Sequence, residues 1–230
     1  MQNTKGRFFW LAFFSIAMGF LEGAVVIYLR KIYYPDGFDF PLNIIQNDIA
    51  LVEFLREAAT LMMLITIGVI AGSNRTERLL FFCYCFGIWD LVYYAVLKIF
   101  LDWPSSILEW DILFLIPIPW VGPVLAPCIV SATMILIAVV FIKGKYQLRT
   151  KDVLFIVAGC LVLISSFCID YVQHIYHADI DYWVPGSQIA LFTEISTYVP
   201  VHYPWWIFWL GEGIILFSFY NVTRKKRIIS

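Results

Sequence analysis

Six apolar runs, each long enough to cross the hydrocarbon layer of a bilayer, occupy most of this sequence. A transmembrane helix needs about 20 mostly apolar residues. Hydrophobic residues make up 61% of the 230 residues and charged residues only 14%. A domain of this size cannot bury so much apolar surface in its own core, so the remainder must face lipid. The sequence predicts an all-α, polytopic membrane helix bundle, with residues 1–230 as a single integral membrane domain.

Charges and turn residues separate the runs and set the predicted helix limits. The polar stretches Ser73–Glu77 and Lys143–Asp152 are predicted loops. The first run begins like a signal peptide, but it continues beyond signal-peptide length, so a retained helix is predicted. The six predicted transmembrane helices are Phe8–Leu29, Asn47–Gly72, Leu79–Leu101, Val121–Ile142, Val153–His174 and Pro204–Asn221.

A proline-rich segment, residues 104–120, breaks this pattern. Its apolar run Ile112–Val121 is too short to span a bilayer, and the prolines around it cannot all lie inside one helix. We predict a short helix followed by an extended piece, Ile116–Pro119, either re-entrant or lying at the membrane interface. A further short amphipathic helix is predicted around Ser187–Thr197.

The distribution of basic residues predicts the orientation. With the N-terminus inside, twelve of the sixteen Lys and Arg residues lie on the cytoplasmic side, as the positive-inside rule requires. Both termini are therefore predicted to be cytoplasmic. Short basic loops without sorting signals favour the plasma membrane as the location. The formal net charge of −1 gives no basis for a nucleic-acid partner; the predicted partners are the lipid bilayer and a lipid or hydrophobic small molecule.

Ionisable side chains inside the apolar runs are the candidate functional residues. At 1.5 Å per residue, five carboxylates lie roughly 6 to 16 Å below the same membrane face: Glu22, Glu57, Asp90, Asp170 and Glu212. Charges at such depth are costly and usually face a functional interior. We therefore expect the five groups to meet in one buried pocket. Because Arg56 and Lys98 offset only two of the five negative charges, protons or a bound cation must offset the rest.

The leading hypothesis is a membrane-embedded, metal-dependent enzyme that acts on a lipid or hydrophobic small molecule from the outer-leaflet side. Carboxylates with one or two imidazoles suit a divalent metal ion such as Zn, Fe or Mn. The predicted metal ligands are Glu22, Glu57, Asp170, His174 and Glu212. Asp90 is the predicted acid–base group, and Tyr94 or Arg56 would stabilise developing charge.

Two alternatives use the same residues. The first is a proton- or cation-coupled transporter, in which the carboxylates cycle protons or bind the ion. The second is a non-catalytic membrane subunit, in which neutral carboxylic acids such as Glu22 and Glu212 hold helices together. Asp111, beside the proline-rich segment, could join the site from a re-entrant loop, but we favour surface positions for both Glu109 and Asp111. Arg30 is expected to lie outside the membrane.

Overall fold

A computed structural model describes residues 4–43, 45–116, 118–178 and 197–229, with residues 225–229 described by their backbone alone. This part of the chain forms six α-helices and one two-stranded β-sheet. The helices are α1 (Thr4–Tyr33), α2 (Asn47–Ala71), α3 (Arg75–Leu101), α4 (Leu125–Gly144), α5 (Thr150–His177) and α6 (Trp205–Ile229). The strands are β1 (Trp110–Phe114) and β2 (Trp120–Pro123).

Five helices, α1 to α5, are long and apolar enough to cross a membrane. Their outward faces carry large apolar side chains that water would not tolerate in such number, including Met62, Leu136 and Leu161, each at least 60% exposed. Both observations support the predicted helical membrane bundle. The sixth predicted span corresponds to α6, which is not among the five, so its crossing stays a prediction.

Local hydrogen bonds explain where two of the helices begin. The N–H of Glu77 donates to the Asn74 side chain at 3.0 Å, and the N–H of Arg149 donates to the Asp152 carboxylate at 2.9 Å. Such bonds satisfy backbone or side-chain groups that a helix end leaves unpaired. These polar residues thus stabilise the first turns of α3 and α5, which begin within the two predicted polar loops.

Helix α3 is the centre of the bundle, because it packs against α1, α2 and α4, whereas α5 packs mainly against α6. The contact between α1 and α3 depends on Gly19. A Cβ atom at this position would lie only 2.6 Å from the carbonyl oxygen of Trp89. At that distance the two helix backbones would have to move apart. The absence of a side chain therefore lets α1 approach α3 closely and brings Glu22, one turn further on, towards the interior.

The proline-rich segment forms an antiparallel β-hairpin, so the short helix predicted there is wrong. Trp110 lies opposite Pro123 and Ile112 opposite Val121. Strands form because the segment is rich in aromatic and β-branched residues, and because prolines at strand ends do not need to donate to the ladder. Ile116, Ile118 and Pro119 lie in the connection between the strands.

The hairpin also corrects the predicted start of the fourth helix. We predicted Val121, but α4 begins at Leu125 because the residues before it pair with β1. The amphipathic helix predicted around Ser187–Thr197 falls, except for Thr197, outside the described residues. The other helices match the predicted runs with ends shifted by at most four residues, except that α6 continues eight residues beyond the predicted end at Asn221.

Candidate functional site

A small cavity lies between α1, α2, α3 and the hairpin, and we call it the acidic cavity. Its volume is about 50 Å³, which holds a few water molecules or an ion but not a lipid. Three carboxylates face it, together with one guanidinium group and two phenols. Its polar lining is Glu22, Arg56, Glu57, Thr60, Asp90, Tyr93 and Tyr94. The structure thus brings together five of the predicted site residues: Glu22, Arg56, Glu57, Asp90 and Tyr94.

Arg56 binds the cavity carboxylate of Glu22 on α1 and a second carboxylate, Glu53, which lies outside the cavity lining on α2. Its guanidinium donates to Glu22 of α1 and, through Nε, to Glu53 Oε2 on its own helix at 2.8 Å. Thr60 adds a hydrogen bond to the second Glu22 oxygen at 3.3 Å. A cation that belongs to the protein therefore already neutralises part of the charge of Glu22 and Glu53, in the place where the sequence suggested a metal.

Glu57 and Asp90 are the other two carboxylates of the cavity, and neither forms an ion pair with a residue that the structure describes. Each is 8% exposed. Glu57 accepts a hydrogen bond from the N–H of Leu115 at 2.9 Å, which ties α2 to the hairpin. Asp90 accepts one from the Ser131 hydroxyl at 2.7 Å, which ties α3 to α4. Buried carboxylates without a cation partner are the groups that gain a proton or bind a cation.

Asp90 also lines a second cavity, which shares Leu113 and Phe114 with the acidic cavity. This aromatic cavity has a volume of about 90 Å³ and lies between the hairpin, α3, α4 and α5. Its lining includes Phe86, Trp120 and Phe167 in addition to Asp90 and Ser131. One carboxylate therefore lines two neighbouring cavities of the bundle.

A buried ion pair extends the polar network from the acidic cavity towards the end of α1. The Tyr94 hydroxyl, which lines the cavity, donates to Asp111 Oδ2 at 3.1 Å. The other oxygen of Asp111 accepts from Arg30 Nη2 at 2.8 Å. Asp111 is 1% exposed and Arg30 6%, so the expected surface position of Asp111 is wrong. The hairpin causes the difference, because it folds Asp111 back between the helix ends.

Sequence reasoning missed the Arg30–Asp111 pair because the two residues are 81 positions apart in the chain. One signal was available. Both are charged residues set among large apolar and aromatic neighbours, and such charges rarely stay buried without a partner. The sequence did not show that these two residues pair with each other, because the β-hairpin brings Asp111 to Arg30.

The predicted pair Asp170 and His174 lies elsewhere, near one end of α5. The Tyr198 hydroxyl donates to Asp170 Oδ2 at 2.8 Å, and the rings of His174 and Tyr198 are 5.2 Å apart. Burial raises the pKa of Tyr198, so its phenol stays protonated and acts as the donor. Neither Asp170 nor His174 is among the described residues that line the acidic cavity.

Glu212 occupies a third location, on α6. Its side chain is 2% exposed and lies close to Thr133 of α4 and Cys160 of α5. Its Oε2 has no hydrogen-bond partner among the described residues. The five predicted metal ligands are thus distributed over the acidic cavity, the Tyr198 end of α5 and the inner face of α6. Within the described ranges, no three His, Cys, Asp or Glu side chains are grouped to hold a metal ion.

No protein-family model, curated protein or solved structure matches this chain.

Proposed function

We propose that this protein is a proton- or cation-coupled membrane transporter whose coupling groups are Asp90 and Glu57. In this proposal six helices cross the plasma membrane and both termini are cytoplasmic. The observation that carries the proposal is the position of Asp90, which lines both the acidic cavity and the aromatic cavity. A coupling group must exchange its proton or cation with two compartments in turn, and a carboxylate that lines two cavities suits that task.

Charge counting supports the same conclusion. Five carboxylates and two guanidinium groups lie in and beside the acidic cavity, which leaves an excess of three negative charges. The groups are Glu22, Glu53, Glu57, Asp90, Asp111, Arg30 and Arg56. Such an excess is not stable in a medium of low dielectric constant, so protons or a cation must compensate it. Asp90 and Glu57 are the natural acceptors, since they lack ion-pair partners in the described part of the chain.

The size of the acidic cavity favours coupling over chemistry on a lipid. Its volume of about 50 Å³ is far below the roughly 300 Å³ or more of a typical small-molecule site. Arg56, held by Glu22 and Glu53, would keep these two carboxylates charged while Asp90 and Glu57 change state. Tyr94 would connect the cavity to Asp111 by its hydroxyl.

The proposal is tested with purified protein in liposomes that carry an imposed pH or sodium gradient. We expect one or more solutes of a chemically diverse panel to accumulate in response to the gradient. Asp90→Asn and Glu57→Gln should abolish accumulation, whereas Asp39→Asn, which changes an exposed carboxylate outside the acidic and aromatic cavities, should leave it unchanged. Infrared spectra should also contain a protonated-carboxyl band near neutral pH that Asp90→Asn or Glu57→Gln removes. If neither variant alters that band and no gradient drives uptake, the proposal is wrong.

A metal-dependent enzyme is the second candidate, and the arrangement around Tyr198 favours it. Asp170 and His174 are one helical turn apart, and both contact the same tyrosine, so they can present an oxygen and a nitrogen ligand together. Elemental analysis of the purified protein tests this candidate. A stoichiometric divalent metal that is lost in Asp170→Ala and His174→Ala, but kept in Asp90→Asn, would favour the enzyme over the transporter.

A further inference from the structure

A larger cavity lies at the end of the bundle where α1 and α3 finish, and we call it the vestibule. Its volume is about 710 Å³, within the range of sites that bind small molecules or headgroups. Arg30 and Lys31 of α1, Phe38 of the following loop and Trp103 after α3 all line it. It is distinct from the acidic cavity, although Arg30, Asp111 and Tyr94 connect the two by hydrogen bonds.

Two buried donors in the vestibule lack acceptors. Arg30 Nη2 is bound to Asp111, but Arg30 Nη1 has no hydrogen-bond partner among the described residues, and the same holds for Trp103 Nε1. Both side chains are more than nine-tenths buried. The Cζ atom of Arg30 also lies 3.7 Å from the centroid of the Trp103 ring and 4.2 Å from the centroid of the Phe38 ring. A fixed guanidinium with a free N–H and a neighbouring indole N–H are well suited to bind an oxyanion.

Carboxylates also line the vestibule and provide negative charge. Asp36 and Glu109 line it together with Asp102. Lys98 already neutralises Asp102 at 2.7 Å, whereas neither Asp36 nor Glu109 has an ion-pair partner in the described ranges. The vestibule therefore offers Arg30 and Lys31 to an anion, and Asp36 and Glu109 to a cation.

The surroundings of the vestibule are apolar. Ile32 on α1 and Ile99 and Phe100 on α3 are 67%, 75% and 59% exposed, close to residues that line it. Side chains of this kind at a helix end face the acyl chains or the interface of a bilayer. A ligand bound in the vestibule would thus have its polar group among charges and its apolar part next to lipid.

We propose that the vestibule binds a zwitterion with an oxyanion and an ammonium group, as in the headgroup of phosphatidylethanolamine. The oxyanion would accept from Arg30 and lie near Lys31, and the ammonium would lie near Asp36 and Glu109. This inference does not depend on proton coupling at Asp90. The same chemistry occurs in soluble zwitterions, and the experiment distinguishes the two sources.

Native mass spectrometry of the full-length protein in detergent provides the test. Phosphatidylethanolamine, phosphatidylglycerol and diacylglycerol are added in turn, and the dissociation constant of each is measured. Because one charge near the membrane surface changes affinity roughly fivefold, Asp36→Asn should weaken binding of phosphatidylethanolamine by about that factor and leave phosphatidylglycerol unchanged. Lys31→Gln should weaken both lipids to the same degree. Both positions are exposed, so neither variant should disturb folding.

The matched control is Lys143→Gln, an exposed lysine at the end of α4; it should change no dissociation constant. Displacement of phosphatidylethanolamine by glycerophosphoethanolamine would assign a soluble zwitterion as a ligand, and absence of displacement would assign the lipid. Equal binding of all three lipids, or affinities that neither Asp36→Asn nor Lys31→Gln alters, would overturn the proposal.

Discussion

Arg56 is the side chain on which the acidic cavity depends most. It neutralises Glu22 on one helix and Glu53 on another turn of its own helix, and all three side chains are at most 20% exposed. Removing one member of a buried ion pair leaves an uncompensated charge, which destabilises far more than the pair itself stabilises. Arg56 is therefore a structural requirement of the cavity as well as a source of positive potential within it.

Arg56→Gln should lower the free energy of unfolding by about 3–5 kcal/mol, since Glu22 and Glu53 lose their cation. Unfolding in mixed micelles with increasing SDS measures the change. The double variant Arg56→Gln with Glu22→Gln should recover part of the loss because one of the two uncompensated carboxylates is gone. A double variant as unstable as the sum of its single variants would contradict the ion pair.

A comparison of two aspartates separates burial from ion pairing. Asp111→Asn should destabilise the protein by about 3–5 kcal/mol, because Arg30 then stays charged and buried without an anion. Asp102→Asn, which also removes the partner of a cation, should leave stability almost unchanged, because Asp102 and Lys98 are exposed to solvent. Thermal unfolding of the two variants in the same detergent provides the comparison. Equal losses would show that burial of Asp111 does not matter.

Among the helices and strands, long periodic signals were predictable and short irregular ones were not. Each predicted apolar run lies within or largely overlaps an observed helix, because any run of that length in lipid must satisfy its backbone internally. The hairpin of β1 and β2 was missed, since a short apolar stretch such as Ile112–Val121 fits a helix or a strand equally well by composition. That error carried into the site, because the hairpin alone brings Asp111 to Arg30 and Leu115 to Glu57.

The close contact between α1 and α3 predicts that one added methyl group, at Gly19, destabilises the protein. Gly19→Ala should destabilise the protein by about 1–3 kcal/mol, because the new Cβ would overlap the backbone of α3 at the carbonyl of Trp89. Gly213→Ala on α6 is the matched control, since a Cβ there meets no atom within 4 Å in the described structure. SDS unfolding measures both variants. A Gly19→Ala protein as stable as Gly213→Ala would mean that α1 and α3 are further apart than described.

For the bundle as a whole, depth along the chain predicted a shared level for the acidic groups but not their lateral positions. Glu22, Glu57 and Asp90 do line one cavity, because α1 and α2 both flank α3. Asp170 and Glu212 are on α5 and α6, which form a separate pair. Which helices are neighbours in a bundle is determined by packing, for example by the close helix contacts at Gly19 and Gly159. The depth of a residue in the membrane contains no information about which helix lies beside it.

The number of spans determines on which side of the membrane the C-terminus lies, and reporter fusions decide it. Five spans, α1 to α5, with the N-terminus inside would leave His177 outside. A crossing by α6 would return the chain to the cytoplasm, and the basic residues Arg224 to Arg227 favour a cytoplasmic position for this end of α6. We therefore expect green fluorescent protein fused after residue 230 to fluoresce, and alkaline phosphatase fused there to be inactive. Alkaline phosphatase fused after Ala178 should be active, which serves as the internal control. Active phosphatase at both positions would mean that α6 lies along the membrane surface and that the bundle has five spans.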